Sequence, residues 1–466
     1  MNHNSLWVAL ATVVLAATGC TGGQRDSSAG PGGPASPTGP ASPTESTTSD
    51  TAEPVMIDQP DVGALDVAPQ AKRVDLEVPT FSEPTRIDNP LFPVGREDSN
   101  VLLGRVDGQK FRTEVTVLPE TRFIEWNGQR IETVVSQYTA FLGGRIHEVA
   151  LDLYAQDDDG AVWYFGEDVF NFEDGVVADS EGTWLAGKDG PAAMIMPADP
   201  QVGEVYRPEN IPGNVFEEVT VKSTDETVQG PQGEISGALL ASELHMDGQL
   251  EAKTFTPGYG EFYTSGGGEV EALALGLPTD ALSGPAPESV EKLWAASTRL
   301  YDAAVTKQNQ KSAESAVNAT GAAWAELRTA DVPPLVRAAL AKEMDELRAA
   351  FNGPSRGQES VDIARLALDL RLRHEPRAEI DLSRLELWAR QLVIDIDRTN
   401  QAGIAGDLAC LDLVRDRVAH AYPSKAMSGL DENLGVLRVA SVSRDIEAAM
   451  AATAEARRTV AELRPL

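Results

Sequence analysis

Six turn dipeptides that end in glycine constrain the fold of the first half of the chain most strongly. They are Asp107-Gly108, Asn127-Gly128, Gly143-Gly144, Asp159-Gly160, Asp174-Gly175 and Asp247-Gly248. Such pairs adopt the positive φ angles of tight hairpin turns at little cost. The first five lie 15 to 20 residues apart, and the runs between them alternate in polarity or are rich in β-branched residues. The spacing predicts an antiparallel all-β meander over residues 75–280, and a barrel and a sandwich both fit it.

The second half of the chain has the periodicity of helices. From residue 287 onward apolar residues recur at intervals of three and four, and Ala, Leu, Arg and Glu dominate. Proline and glycine interrupt this pattern at short links, so we expect six or seven helices in an antiparallel bundle over residues 287–466. The predicted fold class is therefore α+β with two domains.

The N-terminus has the pattern of an export signal. The apolar stretch Leu6–Thr18 is too short to span a bilayer as a mature helix, but it has the length of a signal-peptide core. Small residues then precede Cys20, as in the lipobox of bacterial lipoproteins, whose cysteine thiol is lipidated. We predict a lipoprotein signal peptide at residues 1–20, with Cys20 as the lipidated residue. The alternative is a soluble secreted protein that is cleaved nearby.

The segment after Cys20 has the composition of a flexible linker. It is rich in Pro, Gly, Ser and Thr, with almost no apolar bulk, so it cannot bury enough surface to order itself. The prediction is a disordered tether over residues 21–70. It would hold the folded part at the extracytoplasmic face of the cell membrane, with the lipid bilayer as its partner through Cys20.

Charge and cysteine content exclude several classes of protein. The net charge of −33 argues against a nucleic-acid partner, because phosphate binding needs clustered Lys and Arg. Residues 1–284 carry −30 of this charge and residues 285–466 carry −3. Only two cysteines are present, so a disulfide scaffold is excluded. The acidity of the β half either keeps the protein soluble or attracts cations.

Residues 154–184 contain the densest mixture of acidic and aromatic side chains. Hard cations such as Ca²⁺ bind six to eight oxygen atoms, often from Asp-rich turns. Solubilising carboxylates on hairpin turns are the simpler explanation, because the loop lacks the spacing of a known calcium motif. The metal candidates are Asp157, Asp159, Glu167 and Asp168. The aromatic ligand-binding candidates are Trp163, Tyr164 and Trp184.

Several short motifs between residues 86 and 263 carry a family resemblance. They are IDNPLFP at 87–93, YAQD at 154–157, VWYFGE at 162–167, GTW at 182–184, MPADP at 196–200, YR at 206–207 and PGYG at 257–260. In these motifs the chain resembles a family of uncharacterised exported bacterial proteins, many of them lipoproteins. The resemblance implies export and assigns no activity or catalytic residue. The C-terminal helices resemble a module of actinobacterial exported proteins.

We therefore expect a membrane-anchored, non-catalytic binding or envelope-support module. It requires no cofactor, although a divalent cation such as calcium is compatible with its acidity, and a protein of the cell envelope would be a suitable partner. The alternative is an extracytoplasmic, carboxylate-based hydrolase with its site in the β domain. That enzyme would gather two or more of Glu167, Asp168, Asp179 and Glu181 in one aromatic-lined pocket.

Overall fold

A computed structural model of the protein describes residues 55–59, 63–305, 310–350 and 356–464. Its strands vary in length from 2 residues in β9 to 18 residues in β4. The strands are β1 Val55–Gln59, β2 Gly63–Val67, β3 Ser99–Val106, β4 Gln109–Trp126, β5 Gln129–Leu142, β6 Arg145–Gln156, β7 Val162–Glu173, β8 Val176–Asp179, β9 Trp184–Leu185, β10 Ala193–Met196, β11 Val205–Ile211, β12 Val215–Gly230, β13 Gly233–His245, β14 Leu250–Thr256, β15 Gly260–Gly266 and β16 Glu269–Leu277.

Fourteen of these strands form one antiparallel sheet. Its order is β10-β7-β6-β5-β4-β3-β16-β15-β14-β13-β12-β11, and β8 and β9 also pair with β7. The predicted meander is confirmed, because most neighbours in the sheet are also neighbours in sequence. The sheet is open, with β10 and β11 at its edges, so neither the closed barrel nor a sandwich of two sheets is formed. The pairing of β3 with β16, which joins the first and last strands of the meander, makes one continuous sheet.

The sheet curls around one of its faces, which we call the inner face. A single apolar core on this face contains residues from strands far apart in the sheet order, such as Val162 on β7, Tyr206 on β11 and Leu239 on β13. Trp184 lies fully within it. Residues from both ends of the sheet can share a core only if the sheet is strongly curved.

The helical half forms a bundle of eight helices in the described part of the chain. They are α1 Glu288–Val305, α2 Gln310–Leu327, α3 Pro334–Ala349, α4 Arg356–Leu372, α5 Arg377–Asp397, α6 Gln401–Val418, α7 Ser424–Ser443 and α8 Ile446–Leu463. This exceeds the predicted six or seven. The break between α7 and α8 was not predicted, because no Gly or Pro lies there. The chain turns at Arg444, which adopts a left-handed conformation with φ 57°.

Helices cover part of the opposite face of the sheet, which we call the outer face. Phe141 and Ile146 of the sheet share an apolar cluster with Trp388 and other residues of α5 to α8. Val101 and Leu275 share a second cluster with α1 to α5. The two predicted halves therefore pack against each other through apolar side chains. No helix in the described residues is long and apolar enough to cross a membrane.

A buried ionic network also joins the helices to the sheet. On β4, Arg112 and Glu114 point to the outer face, because alternate residues of a strand share a face. Arg112 donates two hydrogen bonds to Asp369 of α4, at 2.7 and 2.8 Å. Arg417 of α6 donates to Glu114 at 3.0 Å. With Arg384 and Asp381 of α5, the network holds three guanidinium groups and three carboxylates.

Of the N-terminal predictions, only the one for the end of the tether falls on described residues. Within the segment 21–70, predicted to be disordered, β1 and β2 pair as a two-stranded hairpin. Leu65 and Val67 are buried against Phe216 and Met246, and this apolar contact accounts for the order of the second strand. The signal peptide at 1–20 and Cys20 lie outside the described residues.

We expect Glu114→Gln to lower the free energy of unfolding by about 3–5 kcal/mol, because it leaves three buried guanidinium groups facing two carboxylates. Burial alone would raise the pKa of Glu114, but the three guanidinium groups hold it well below its usual value of 4.5. The stability that the charge contributes is therefore present above that value and lost as the pH falls. Urea unfolding of the full chain at pH 7 and at lower pH measures both effects.

The matched control is Glu125→Gln, which changes an exposed glutamate of the same strand. It should alter the unfolding free energy by less than about 0.5 kcal/mol. Equal effects of the two substitutions would contradict the role of the network.

Candidate functional site

The inner face of the sheet carries a cluster of ionisable side chains on four neighbouring strands and on β16. Strand alternation places them together, because residues two apart share a face. Across β12 and β13, Glu217 pairs in register with His245. Across β13 and β14, Glu243 pairs with Glu251. The inner-face cluster consists of Glu217, Glu243, His245, Glu251, Lys253, Glu261 and Glu269.

His245 is the centre of three carboxylates. Its Nδ1 lies 3.2 Å from Glu217 Oε1, and its Nε2 lies 3.3 Å from Glu251 Oε2 and 3.6 Å from Glu243 Oε2. Only 4% of its surface is exposed. Burial would lower the pKa of His245, but the neighbouring carboxylates raise it well above its usual value.

Lys253 is a second buried cation beside the histidine. Its Nζ lies 2.9 Å from Glu261 Oε1 and 3.1 Å from Glu243 Oε2. Thr264 donates a further hydrogen bond to the same oxygen of Glu261, at 2.7 Å. These contacts fix the positions of the two carboxylates.

The cluster contains more carboxylates than cations. Its five glutamates face one lysine and one histidine. Glu243 Oε2 and His245 Nε2 are both buried, and their polar neighbours are the charged groups of the cluster itself. Burial raises the pKa of Glu243 to about 7 and that of Glu269 to about 8. The site thus has unsatisfied affinity for positive charge.

A second group of buried carboxyls, which we call the central carboxyl group, adjoins this cluster. Burial raises the pKa of Asp152 to about 7, although Tyr164 donates a hydrogen bond to its Oδ1 at 2.9 Å. Burial and the neighbouring carboxyls also raise the pKa of Glu148 well above its usual value. The central carboxyl group consists of Glu148, Asp152, Glu167 and Glu271.

A small cavity reaches the inner face beside these groups. Its volume is about 100 Å³, and Tyr138, Asp152, Tyr154 and Glu261 line it. Pockets for organic ligands usually measure about 300–1,000 Å³. The cavity therefore suits an ion with a few water molecules better than a sugar or an ester.

The structure separates the four predicted metal ligands. Asp157 closes its own turn, because its Oδ1 accepts hydrogen bonds from the backbone of residues 159 and 161. Asp159 is exposed on that turn. Glu167 is buried on the inner face, whereas Asp168 points to the other face and contacts Arg122 at 2.6 Å. Adjacent residues of a strand cannot serve one site, so these four do not form a calcium centre.

The predicted aromatic residues belong to the core. Trp163 donates to Asp157, at 2.8 Å, and is otherwise packed in the inner core. Tyr164 and Trp184 contact each other edge to face, with ring centroids 5.3 Å apart. Trp184 donates a hydrogen bond to Glu209 at 3.2 Å. All three are buried, so they do not present a binding surface for an aromatic ligand.

Of the carboxylates expected to converge in an enzyme, only Glu167 lies inside. Asp179 and Glu181 are exposed, and Asp168 is half-buried on the other face. Glu167 instead pairs in register with Asp152 on β6. The convergence predicted for residues 167–181 is therefore not formed.

Sequence reasoning missed the inner-face cluster, although a signal for it exists. Glu243 and His245 lie two apart just before the Asp247-Gly248 turn, and Glu251 and Lys253 lie two apart just after it. Charged residues on alternate positions of both strands of one hairpin must share a face. The missing information was that this face is buried.

No protein-family model matches this chain, and no curated protein matches it either. The interpretation of the site therefore depends on its geometry and chemistry.

We expect Asp152→Asn to stabilise the protein at pH 8 by about 1–3 kcal/mol and to change little at pH 4. A carboxyl whose pKa is raised from 3.8 to about 7 contributes stability that is present below 3.8 and lost as the pH rises to about 7. The amide removes this loss and keeps an oxygen for Tyr164. Urea unfolding at several pH values between 4 and 8 measures the difference in slope.

Asp168→Asn is the matched control, because Asp168 belongs to the same pair of strands, β6 and β7, but points to the opposite face of the sheet. It removes a contact with Arg122 and should give no gain at pH 8. If both variants depend on pH as the wild type does, the raised pKa of Asp152 is not the cause.

Proposed function

We propose that the protein is an extracytoplasmic lipoprotein, anchored through Cys20, whose β sheet binds a divalent metal ion at Glu217, Glu243 and His245. One observation carries the metal assignment. One potential ligand atom from each of these three buried residues lies within 4.8 Å of the others. Two atoms of these residues, Glu243 Oε2 and His245 Nε2, are buried and have charged neighbours at 3.1 to 3.6 Å.

The donor set favours a particular class of metal. Imidazole nitrogen suits zinc and other transition metals, whereas calcium and magnesium prefer oxygen ligands alone. One histidine and two glutamates make a nitrogen-and-oxygen set, with Glu251 close enough to add a further oxygen. We therefore propose a transition-metal ion such as Zn²⁺ in place of the calcium ion considered from the sequence.

Charge balance supports the same conclusion. A divalent cation would reduce the excess of carboxylates that Lys253 and His245 leave in the cluster. Metal binding requires the neutral imidazole, so the ion would displace a proton from His245. Lys253 would keep Glu243 and Glu261 in position from the side.

The alternative function is a carboxylate-based hydrolase. It is supported by the cross-strand pair of Asp152 and Glu167, two buried carboxyls on adjacent strands. The adjoining cavity of about 100 Å³ is small for a glycan or ester substrate. Turnover of a panel of such substrates, abolished by Glu167→Gln, would favour the enzyme over the binding module.

The metal proposal predicts saturable binding of Zn²⁺ by the full chain in equilibrium dialysis, with one ion per chain. His245→Gln should weaken binding at least about tenfold, because it removes the nitrogen ligand. His420→Gln, which changes an exposed histidine on the helical half, should leave the affinity unchanged. Failure of the wild type to bind any of Zn²⁺, Mn²⁺ or Ca²⁺ would overturn the proposal.

The anchor proposal predicts that the protein partitions into the detergent phase when it is expressed in a bacterium that processes lipoproteins. Cys20→Ala removes the thiol that accepts the lipid, so the variant should enter the aqueous phase or remain unprocessed. Cys410→Ala, at the buried free cysteine of α6, should partition as the wild type does. Unchanged partitioning of Cys20→Ala would exclude lipidation at this residue.

A further inference from the structure

A cleft lies between the outer face of the sheet and helices α3 and α4, away from the inner-face cluster. Its volume is about 600 Å³, within the range of pockets that bind organic molecules. Such pockets occur preferentially where two domains meet, and here the strand ends of the sheet meet the bundle. The cleft is lined by residues 103–105, 110–112, 141, 143–145, 338–339, 342–343, 346, 358–359, 362, 365–366 and 398.

One part of the cleft wall is apolar. Leu103 and Phe141 contribute from the sheet, and Ala339 and Leu366 contribute from the helices. Leu103 and Ala339 are partly exposed, whereas Phe141 and Leu366 are buried. An apolar body can displace water from this wall, so the hydrophobic effect would favour its binding.

The charged part of the wall is predominantly basic. Seven basic and four acidic residues line the cleft, in a chain whose net charge is −33. Three of the four acidic groups are paired with basic groups. Lys110 Nζ lies 2.7 Å from both Glu343 and Glu346, and Arg365 lies 3.4 Å from Asp362.

Two arginines of the wall have no acidic partner among the described residues. Within the described chain, Arg105 and Arg398 make no ion pair, and Arg105 donates only to the backbone oxygen of Gly108. Both are exposed to solvent at the cleft. Guanidinium groups bind carboxylates and phosphates through paired hydrogen bonds, so these arginines favour an anion.

We propose that this cleft binds an amphipathic organic anion. The apolar body would lie against Leu103 and Ala339, and the anionic group would contact Arg105 or Arg398. The site is separate from the metal centre and does not depend on the function proposed for it. Because the ligand would contact sheet and helices together, its binding would also strengthen the junction of the two halves.

Isothermal titration of the full chain tests the proposal with decanoate, below its micelle concentration, as the probe. Decyltrimethylammonium, which has the same chain length and the opposite charge, is the comparison ligand, and decyl phosphate shows whether the headgroup is a carboxylate or a phosphate. We expect one saturable site for at least one anion and no binding of the cation. Equal binding of the cation, or no binding of either anion, would overturn the proposal.

Variants locate the site. The double variant Arg105→Ala with Arg398→Ala should weaken anion binding at least about fivefold, whereas Arg328→Ala, at the exposed arginine that follows α2, should not. Ala339→Trp fills the cleft without altering its charge and should abolish binding, whereas Ala325→Trp on exposed helix surface should not. Wild-type affinity in Ala339→Trp would show that the anion binds elsewhere and would exclude the cleft.

Discussion

The contact of Glu114 with three arginines organises the arrangement of the two halves. Glu114 lies in the first half of β4, and its guanidinium partners come from the same strand, from α5 and from α6. A buried carboxylate cannot exchange such partners at low cost, because each would leave an unpaired charge. The network therefore selects one orientation of the helices on the sheet, while the apolar clusters supply most of the driving force. The cleft between α3, α4 and the strand ends is a consequence of that orientation.

Strand β4 also links the network to the site on the other face. Arg112 and Glu114 point to the helices, while Thr113 between them donates a hydrogen bond to Glu271 on the inner face. A slip of one residue in the register would exchange these side chains between the faces. It would bring the guanidinium group of Arg112 into the curved interior and leave Asp369 unpaired. Both charge networks thus specify the same register.

The strands could be predicted from the sequence, whereas most of the candidate site could not. The turns at Asp107 and Asn127 were predicted because both residues adopt positive φ before glycine, as hairpins require. The pairing of β3 with β16 was not predictable, since it joins segments about 170 residues apart without a local signal. For the site, alternation alone separates Glu167 from Asp168. Alternation does not show which face is buried. Burial is what distinguishes Glu243 and His245 from the denser acidic segment around Asp157.

The two faces of the sheet compensate the charge of their carboxylates differently. On the outer face, three carboxylates meet three guanidinium groups, so no external ion or proton is needed there. On the inner face, the curvature of the sheet gathers five glutamates, of which Glu217, Glu243 and Glu269 are buried, with only Lys253 and His245. Such an excess is relieved by protonation or by a bound cation, because both reduce the number of uncompensated buried charges. Protonation accounts for carboxyls that face only other carboxyls, such as Glu148. At His245, a ring nitrogen and several fixed carboxylate oxygens lie close enough together to act as metal ligands. A bound cation would therefore compensate the excess negative charge there more specifically than protonation.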